Sequence, residues 1–204
     1  MVICGVCINE DKLEFFKEIG AKDSKKLSAK KRSELAIKIK ENCHSYHYIV
    51  ISAEEIDDRE KKKITLNRLE ELKMAEIIKK LKPNIIYLDA ADVNEDRFGK
   101  SILKLLDYEP KNIISKHRAD DIYPIVSAAS IIAKDTRDTI IDELKKKYGE
   151  IGSGYPSDER TTTFLRNWII KNKKAPKFAR KTWETTKKII NEELKNKKIT
   201  DYFK

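Results

Sequence analysis

The sequence predicts an α/β fold, because short apolar runs rich in Val, Ile and Tyr alternate along the chain with longer segments whose apolar residues recur at helical spacing. The alternation holds as far as Tyr148. Beyond it, Gly149, Gly152, Gly154 and Pro156 fall within eight residues and only helical segments follow. A sheet flanked by helices, with a C-terminal helical extension, is therefore expected. At 204 residues the chain is long enough to bury a core.

Each element has its own signal. Val2–Ile8 reads as a buried strand that begins with no lead-in, and Asn9–Gly20 as a short helix with Leu13, Phe16 and Ile19 on one face and Gly20 as its stop. Ser28 is placed to cap a second helix running to about Asn42, and Tyr46–Ile51 is a strand by its aromatic and β-branched content. Ser52-Ala-Glu-Glu55 has the pattern of a capping box, and Ile64–Leu81 is a long amphipathic helix stopped by Pro83. Ile85–Leu88 is a short strand ending on Asp89. A helix over Glu95–Leu106, a strand over Asn112–Ser115 and a long helix over Pro124–Tyr148 complete the alternation. Helices over Glu159–Lys171 and Trp183–Lys195, separated by the Lys173-Lys-Ala-Pro176 break, form the C-terminal part, and the residues from Asn196 read as a tail.

Charge and cysteine usage narrow the function classes. The 44 Lys and Arg against 34 Asp and Glu give a net charge of +10, which makes a polyanion such as nucleic acid the first partner to consider. The excess is local: Lys171–Lys204 holds 12 basic and 4 acidic side chains, so the rest is nearly neutral. No apolar run approaches the roughly 18–20 residues of a membrane-spanning helix. Three cysteines, an odd number, argue for a reducing compartment, and no secretory signal opens the chain. A cytoplasmic location is expected.

Asp89 is the strongest single signal, because α/β sheets place ligand-binding groups at the C-terminal ends of apolar strands. The second is Ser115-Lys-His-Arg-Ala-Asp120-Asp121, a charged strand exit just before the small residues Ser127-Ala-Ala-Ser130, which let a helix approach the sheet closely. Two carboxylates on neighbouring strand ends suit a hard divalent metal and the metal-assisted phosphoryl transfer that uses it. A surface salt-bridge network is the alternative.

These residues resemble a known family. Tyr87-Leu-Asp89-Ala, Lys116-His-Arg-Ala-Asp120, Tyr123-Pro-Ile-Val-Ser-Ala-Ala-Ser-Ile-Ile-Ala-Lys134 with Arg137-Asp138, and Gly152-Ser-Gly-Tyr-Pro-Ser-Asp158 look like ribonuclease HII, particularly its archaeal branch. Lys22-Asp-Ser-Lys25 and Ala179-Arg-Lys-Thr-Trp183 match further motifs, so the resemblance runs from Met1 to about Lys188. It implies a ribonuclease H-like mixed sheet flanked by helices with a C-terminal helical extension. It also implies Mg²⁺- or Mn²⁺-dependent endonucleolytic cleavage of RNA in RNA/DNA hybrids, incision at single ribonucleotides in duplex DNA, and a monomer. Carried over by position, Asp89 and Asp120 match two of four metal-binding, catalytic carboxylates. Tyr155 matches the tyrosine that packs on a sugar at the ribonucleotide junction. Ser24 and Lys25 match a substrate-contacting motif, and Lys134 and Arg180 fall at basic positions facing phosphates, contacts that position without reading sequence. The 2′-hydroxyl must then tell RNA from DNA.

The pattern departs from the family at one place. The Asp-Glu-Ala-Gly-Arg-Gly motif that carries the other two metal carboxylates on the family's first strand is absent, and Met1-Val-Ile-Cys matches the second strand. The expectation is a start at an internal methionine or a fragment, residues 1–150 being a catalytic core without its first strand, 151–195 a substrate-binding loop with the helical extension, and 196–204 a tail. Such a chain is expected to bind metal poorly and hydrolyse little, and to expose ladder groups beside Val2–Ile8. A non-catalytic, clamp-tethered hybrid-binding remnant is the rival reading. In the tail, Ile199, Tyr202 and Phe203 resemble the short peptide by which replication and repair proteins bind the sliding clamp, with Asn196 where a glutamine is expected.

Other signals are read as structural. Cys4 and Cys7 have redox or zinc spacing but lack a second pair at zinc-finger distance, and Cys43, His44 and His47 read as a solvated edge. His117 reads as a surface histidine, and Phe164, Trp168 and Trp183 as core. The basic run Lys171–Lys188 is read as tracking a phosphate backbone.

Overall fold

The computed structural model describes residues 1–19 and 27–195. They form an α/β structure whose elements group into two compact units. The first unit joins Met1–Ile51 to Ile64–Arg137, and the second joins Ser52–Lys63 to the residues from Asp138 on.

In the first unit, β1 (Val2–Cys7) pairs antiparallel with β2 (Ser45–Val50), Val2 lying opposite Val50 and Cys7 opposite Ser45. β3 (Ile85–Asp89) pairs parallel with β4 (Asn112–Lys116), Asp89 opposite Lys116. Both pairing senses are present, as in a mixed sheet, but among the described residues the pairs form separate two-stranded sheets. A 3₁₀ turn (Glu10–Lys12) and α1 (Leu13–Glu18) follow β1 where the sequence predicts one helix. Asn9, at the cap position, makes no side-chain capping bond, and the 3₁₀ turn runs directly into α1. α2 (Ala29–Asn42) starts as expected on Ser28, whose hydroxyl accepts from Lys31 N at 3.3 Å.

Helices cover β1 on both faces. Phe16, Leu35, Ala36 and Ile39 of α1 and α2 cluster with Ala128, Ile131 and Ile132, and Cys4 and Val6 pack against them. On the opposite face Gly5 meets α4 (Leu66–Leu81) so closely that a Cβ there would lie 2.6 Å from Ile77 Cγ2. This is the strand alternation that sends successive side chains to opposite faces. α4 is capped by Thr65 and ends at Lys82, in a left-handed conformation with φ 48°, just before Pro83. Its Ile78 joins Ile86, Leu88, Phe98 and Ile102, so one helix packs on both strand pairs. α5 (Glu95–Leu103), capped by Asn94, stops short of the predicted Leu106 because Leu105 and Leu106 bond back to Ile102 and Leu103 instead. A four-residue helix that the sequence did not signal, α6 (Ala119–Ile122), precedes α7 (Pro124–Tyr148), in which Ser127 and Ala128 are fully buried.

The ladders leave two outer edges. Met1 and Ile51 exchange both backbone bonds at 2.7 Å, so alternation turns the N–H and C=O groups of Val2, Cys4 and Val6 away from β2. The bonds Asn112 N to Asn84 O and Ala90 N to Lys116 O likewise turn those of Ile85 and Tyr87 away from β4. None of these five residues has a backbone partner among the described residues.

In the second unit, α3 (Ala53–Asp58) is capped by Ser52, as the capping-box pattern predicts. Its core is Leu165 and Ile169 of α8 (Glu159–Asn172), Ala175, and Ile189 of α9 (Glu184–Ile190). A π-helical turn (Asn191–Lys195) ends the described chain, and Arg166 ties it down by pairing with Glu192 at 2.8 Å and with Glu193. Phe164 and Trp168, expected in the core, are half-buried instead. They form an aromatic group with Tyr148 and Phe178, since the aliphatic residues of α8 take the inward face.

The Ser115 hydroxyl is buried without a hydrogen-bond partner, against Gly99 of α5. An unsatisfied buried polar group costs about 1–3 kcal/mol, so Ser115→Ala should raise the unfolding free energy by about 1 kcal/mol in urea titrations. An unchanged or lower value would contradict this.

Candidate functional site

In the first unit, a candidate site is built at the C-terminal ends of β3 and β4. Apolar side chains of Ile86 and Leu88 bury one face of β3, which leaves Asp89 exposed at its end. The chain leaving β4 reverses at Arg118, which adopts φ 54° and ψ 38°, a left-handed conformation costly for a residue with a Cβ. The reversal aims the Ala119 N–H at Asp89, whose Oδ1 accepts it at 3.1 Å. Asp120, the next residue, is buried. The two carboxylate-bearing residues singled out in the sequence are thus joined through a single amide. Tyr87 and Tyr123 stack beside them with ring centroids 4.7 Å apart.

Sequence reasoning missed Glu95. Its carboxylate accepts from Lys116 Nζ at 2.5 Å and from the His117 N–H at 2.9 Å, and the Lys116 bond first, the His117 bond second, hold its pKa below the ordinary glutamate value. The only signal was a helix N-terminal glutamate, which capping explains equally well. His117 is exposed, as expected, and its Nε2 lies 3.2 Å from the Val93 carbonyl. A carbonyl can only accept, so Nε2 carries the proton. Lys134 is half-buried on α7.

Other residues singled out in the sequence lie in the second unit. Gly152, Gly154 and Gly149 have φ of 69°, 74° and 85°, and this lets the chain fold tightly against the start of α8. Thr161 Oγ1 donates to Ile151 O and accepts from Gly154 N, while Asp158, the cap of α8, accepts from Ser153 N at 2.7 Å and from Arg160. The Arg160 side chain first, and the Ser153 amide next, hold the Asp158 carboxyl well below the usual carboxylate range. The loop so pinned presents Tyr155, which is 51% exposed. Arg180 lies with its guanidinium 5.4 Å from the Trp183 ring centroid, an arrangement that favours cation–π attraction. Trp183, read from sequence as core, is half-buried in this pairing.

Asp89, Asp120 and Lys134 therefore belong to the first unit and Tyr155 and Arg180 to the second. Ser24, Lys25, Ile199, Tyr202 and Phe203 lie outside the described residues. The cysteines offer no competing chemistry: burial pushes the Cys4 thiol up to about 12 and raises those of Cys7 and Cys43, which keeps all three protonated. Among the described residues no three His, Cys, Asp or Glu side chains form a metal-holding group, and no helix is long and apolar enough to cross a membrane.

Comparison with known proteins shows the family. The ribonuclease HII family profile matches residues 1–186. A ribonuclease HII of Methanocella arvoryzae is 50% identical over 191 residues, 93% of this chain and 84% of that protein. The crystal structure of ribonuclease H2 from Pyrococcus horikoshii superposes with a TM-score of 0.86 at 39% identity, covering 96% of this chain and all of that one. The ribonuclease HII in a complex with PCNA from Archaeoglobus fulgidus superposes at 0.84 with 36% identity, covering 98% and 91%. The chain belongs to the ribonuclease HII family, a family of type II ribonucleases H.

The Tyr155 loop has a sharp requirement at Gly152, where a Cβ would lie 2.7 Å from Thr161 N, whereas at Gly149 it would meet nothing within 4 Å. Both glycines have positive φ, so Gly149→Ala should cost only the backbone term of about 1–2 kcal/mol. Gly152→Ala should cost clearly more in thermal melts. Equal losses would show that the loop yields at Thr161.

Proposed function

We propose that this ribonuclease HII family member hydrolyses the RNA strand of RNA/DNA hybrids endonucleolytically and incises duplex DNA at single embedded ribonucleotides, with Mg²⁺ or Mn²⁺. The observation that carries the proposal is the strand-end turn in which the Ala119 N–H holds Asp89 next to the buried Asp120. Such a pair fits Mg²⁺, which binds through one or two carboxylates and completes its shell with water and substrate phosphate oxygens. Asp89 and Asp120 would hold the ion, which when bound supplies an activated water and stabilises charge at the leaving oxygen.

The remaining work falls to the chain's own groups. The Ala119 N–H fixes one oxygen of Asp89 at the strand end. Tyr155 offers an exposed ring on a pinned loop, suited to packing on the sugar at a ribonucleotide junction, where the 2′-hydroxyl marks RNA. Lys134, Arg180, Ser24 and Lys25 are assigned to the substrate backbone. The eight basic residues against one acidic in Lys171–Lys188 supply the salt-dependent part of binding. In this reading residues 1–150 form the catalytic core, 151–195 the substrate-binding loop and extension, and 196–204 a tail whose Ile199, Tyr202 and Phe203 plug into a sliding clamp. That last assignment is supported by the relative from Archaeoglobus fulgidus found with PCNA. A cytoplasmic monomer is the corresponding cellular form.

One observation favours a second reading, a hybrid-binding, clamp-tethered protein without catalysis: the described residues contribute two carboxylates and no third to the strand-end site. A cleavage assay with Mg²⁺ or Mn²⁺ on a hybrid and on duplex DNA with one ribonucleotide decides between them. The proposal predicts incision, weak in a chain without the Asp-Glu-Ala-Gly-Arg-Gly motif, and a further fall in kcat of about 100-fold or more in Asp89→Asn or Asp120→Asn. Tight binding without cleavage would establish the second reading, and full activity in either variant would remove the metal assignment. Deleting 199–204 should weaken binding to a sliding clamp while leaving hydrolysis of free hybrid unaltered; undiminished clamp affinity would refute the role of the tail.

A further inference from the structure

Lys173, Lys174, Lys177, Arg180 and Lys181 lie in one irregular stretch that contains no acidic residue. It begins where α8 ends, at Lys173 with φ 56°, and buries Ala175 and Pro176. After that its backbone makes only two internal turn bonds, Ala179 N to Pro176 O and Trp183 N to Arg180 O, the latter long at 3.4 Å. The second of these turns spans Lys181 and Thr182 but uses neither of their own amides. A carboxylate from far back in the sequence takes those amides. Asp57 of α3 accepts from Lys181 N at 2.8 Å, from Thr182 N at 3.1 Å and from Thr182 Oγ1 at 2.7 Å. Arg180 immediately precedes this clamp, and Trp183, which its guanidinium faces, immediately follows it.

We propose that Asp57 is a positioning residue for nucleic-acid binding: by capturing the amides of Lys181 and Thr182 it fixes the turn that aims Arg180, and Lys181 beside it, at a substrate phosphate. The inference rests on the functional reading above and adds to it an acidic residue that promotes binding to a polyanion. Charge and position therefore predict opposite signs. Removing a negative charge from a basic surface strengthens attraction for a nucleic acid, whereas an amide in place of the carboxylate cannot accept from the Lys181 N–H at the Oδ2 position and turns the two Thr182 bonds into weaker neutral ones, which loosens the turn that carries Arg180.

The experiment compares the full chain with Asp57→Asn, Thr182→Val and Arg180→Ala, using anisotropy of a labelled RNA/DNA hybrid over a salt series and amide hydrogen exchange at residues 181 and 182. Asp57→Asn should bind about 10-fold more weakly. Its plot of log affinity against log salt should be shallower by about one, the loss expected for one phosphate contact, and should match that of Arg180→Ala. Exchange at Lys181 and Thr182 should accelerate. Thr182→Val, which loses only the hydroxyl bond, should shift binding in the same direction by less. Binding by Asp57→Asn that is unchanged or tighter overturns the inference, as does unchanged exchange at the two amides. A wild-type chain that does not bind hybrid would instead overturn the functional reading, and exchange would still report whether Asp57 holds the turn.

Discussion

The hydrogen bond from the Ala119 amide to Asp89 is the constraint on which the strand-end site depends. It requires β3 and β4 to run parallel with Asp89 opposite Lys116, since a slip of one residue would turn the carboxylate to the other face of the strand. It also requires the chain to reverse between Lys116 and Ala119, and the reversal is what forces Arg118 into the left-handed region. A non-glycine residue there is strained by roughly 1–2 kcal/mol, and the local bonds Asp121 N to Arg118 O and Tyr123 N to Ala119 O hold it in place. Glu95, bonded to Lys116 and to the His117 amide, braces the same turn from α5.

The two units use carboxylates in contrasting ways. Asp89 ends β3 and Asp120 sits buried in the short helix α6, the two linked by the turn at Ala119. Asp57 and Asp158 are instead consumed internally, each taking backbone amides of a loop that has no ladder of its own. A charged acceptor suits this task because a bond to a carboxylate is about twice as strong as a neutral one and one side chain can hold two successive amides. The loops so held are the ones that present Tyr155 and Arg180. Acidic residues of this unit thus serve as fixtures for its loops, which a net charge does not reveal.

Local chemistry explains what the sequence made legible. Asp89 could be found because an apolar strand ending in a carboxylate is a local pattern, and the Tyr155 loop because glycines and a proline punctuate it. Cap residues Ser28 and Ser52 were readable from the next three residues alone. Asp57 carried no such signal: its partners lie more than 120 residues away in sequence, and its neighbours made it look like one more acidic residue of a surface helix. Arg118 was equally silent, since an arginine has no propensity for the conformation that the turn imposes on it. Trp168 was misjudged because helical spacing identifies an apolar face without saying whether aliphatic or aromatic residues win the interior.

The separation of the strands into two pairs bears on what holds the first unit together. A two-stranded sheet is marginal by itself in water, and here the outer backbone groups of Val2, Cys4 and Val6 on one pair and of Ile85 and Tyr87 on the other have no backbone partner among the described residues. The ladders cannot then be the principal source of cohesion. Helix α4 supplies it, because Ile77 and Leu81 pack on Gly5 of one pair while Ile78 packs with Ile86 and Leu88 of the other. Adjacent positions of a helix do not share a face, so the two contacts use different parts of the same apolar surface, and a wide apolar stripe is needed to reach both. Gly5 permits the approach by having no side chain at the point of contact. Among the described residues, where Asp89 stands relative to β1 is accordingly set by helix packing and not by backbone pairing, which makes the α4 interface a determinant of the candidate site even though no residue of α4 belongs to it.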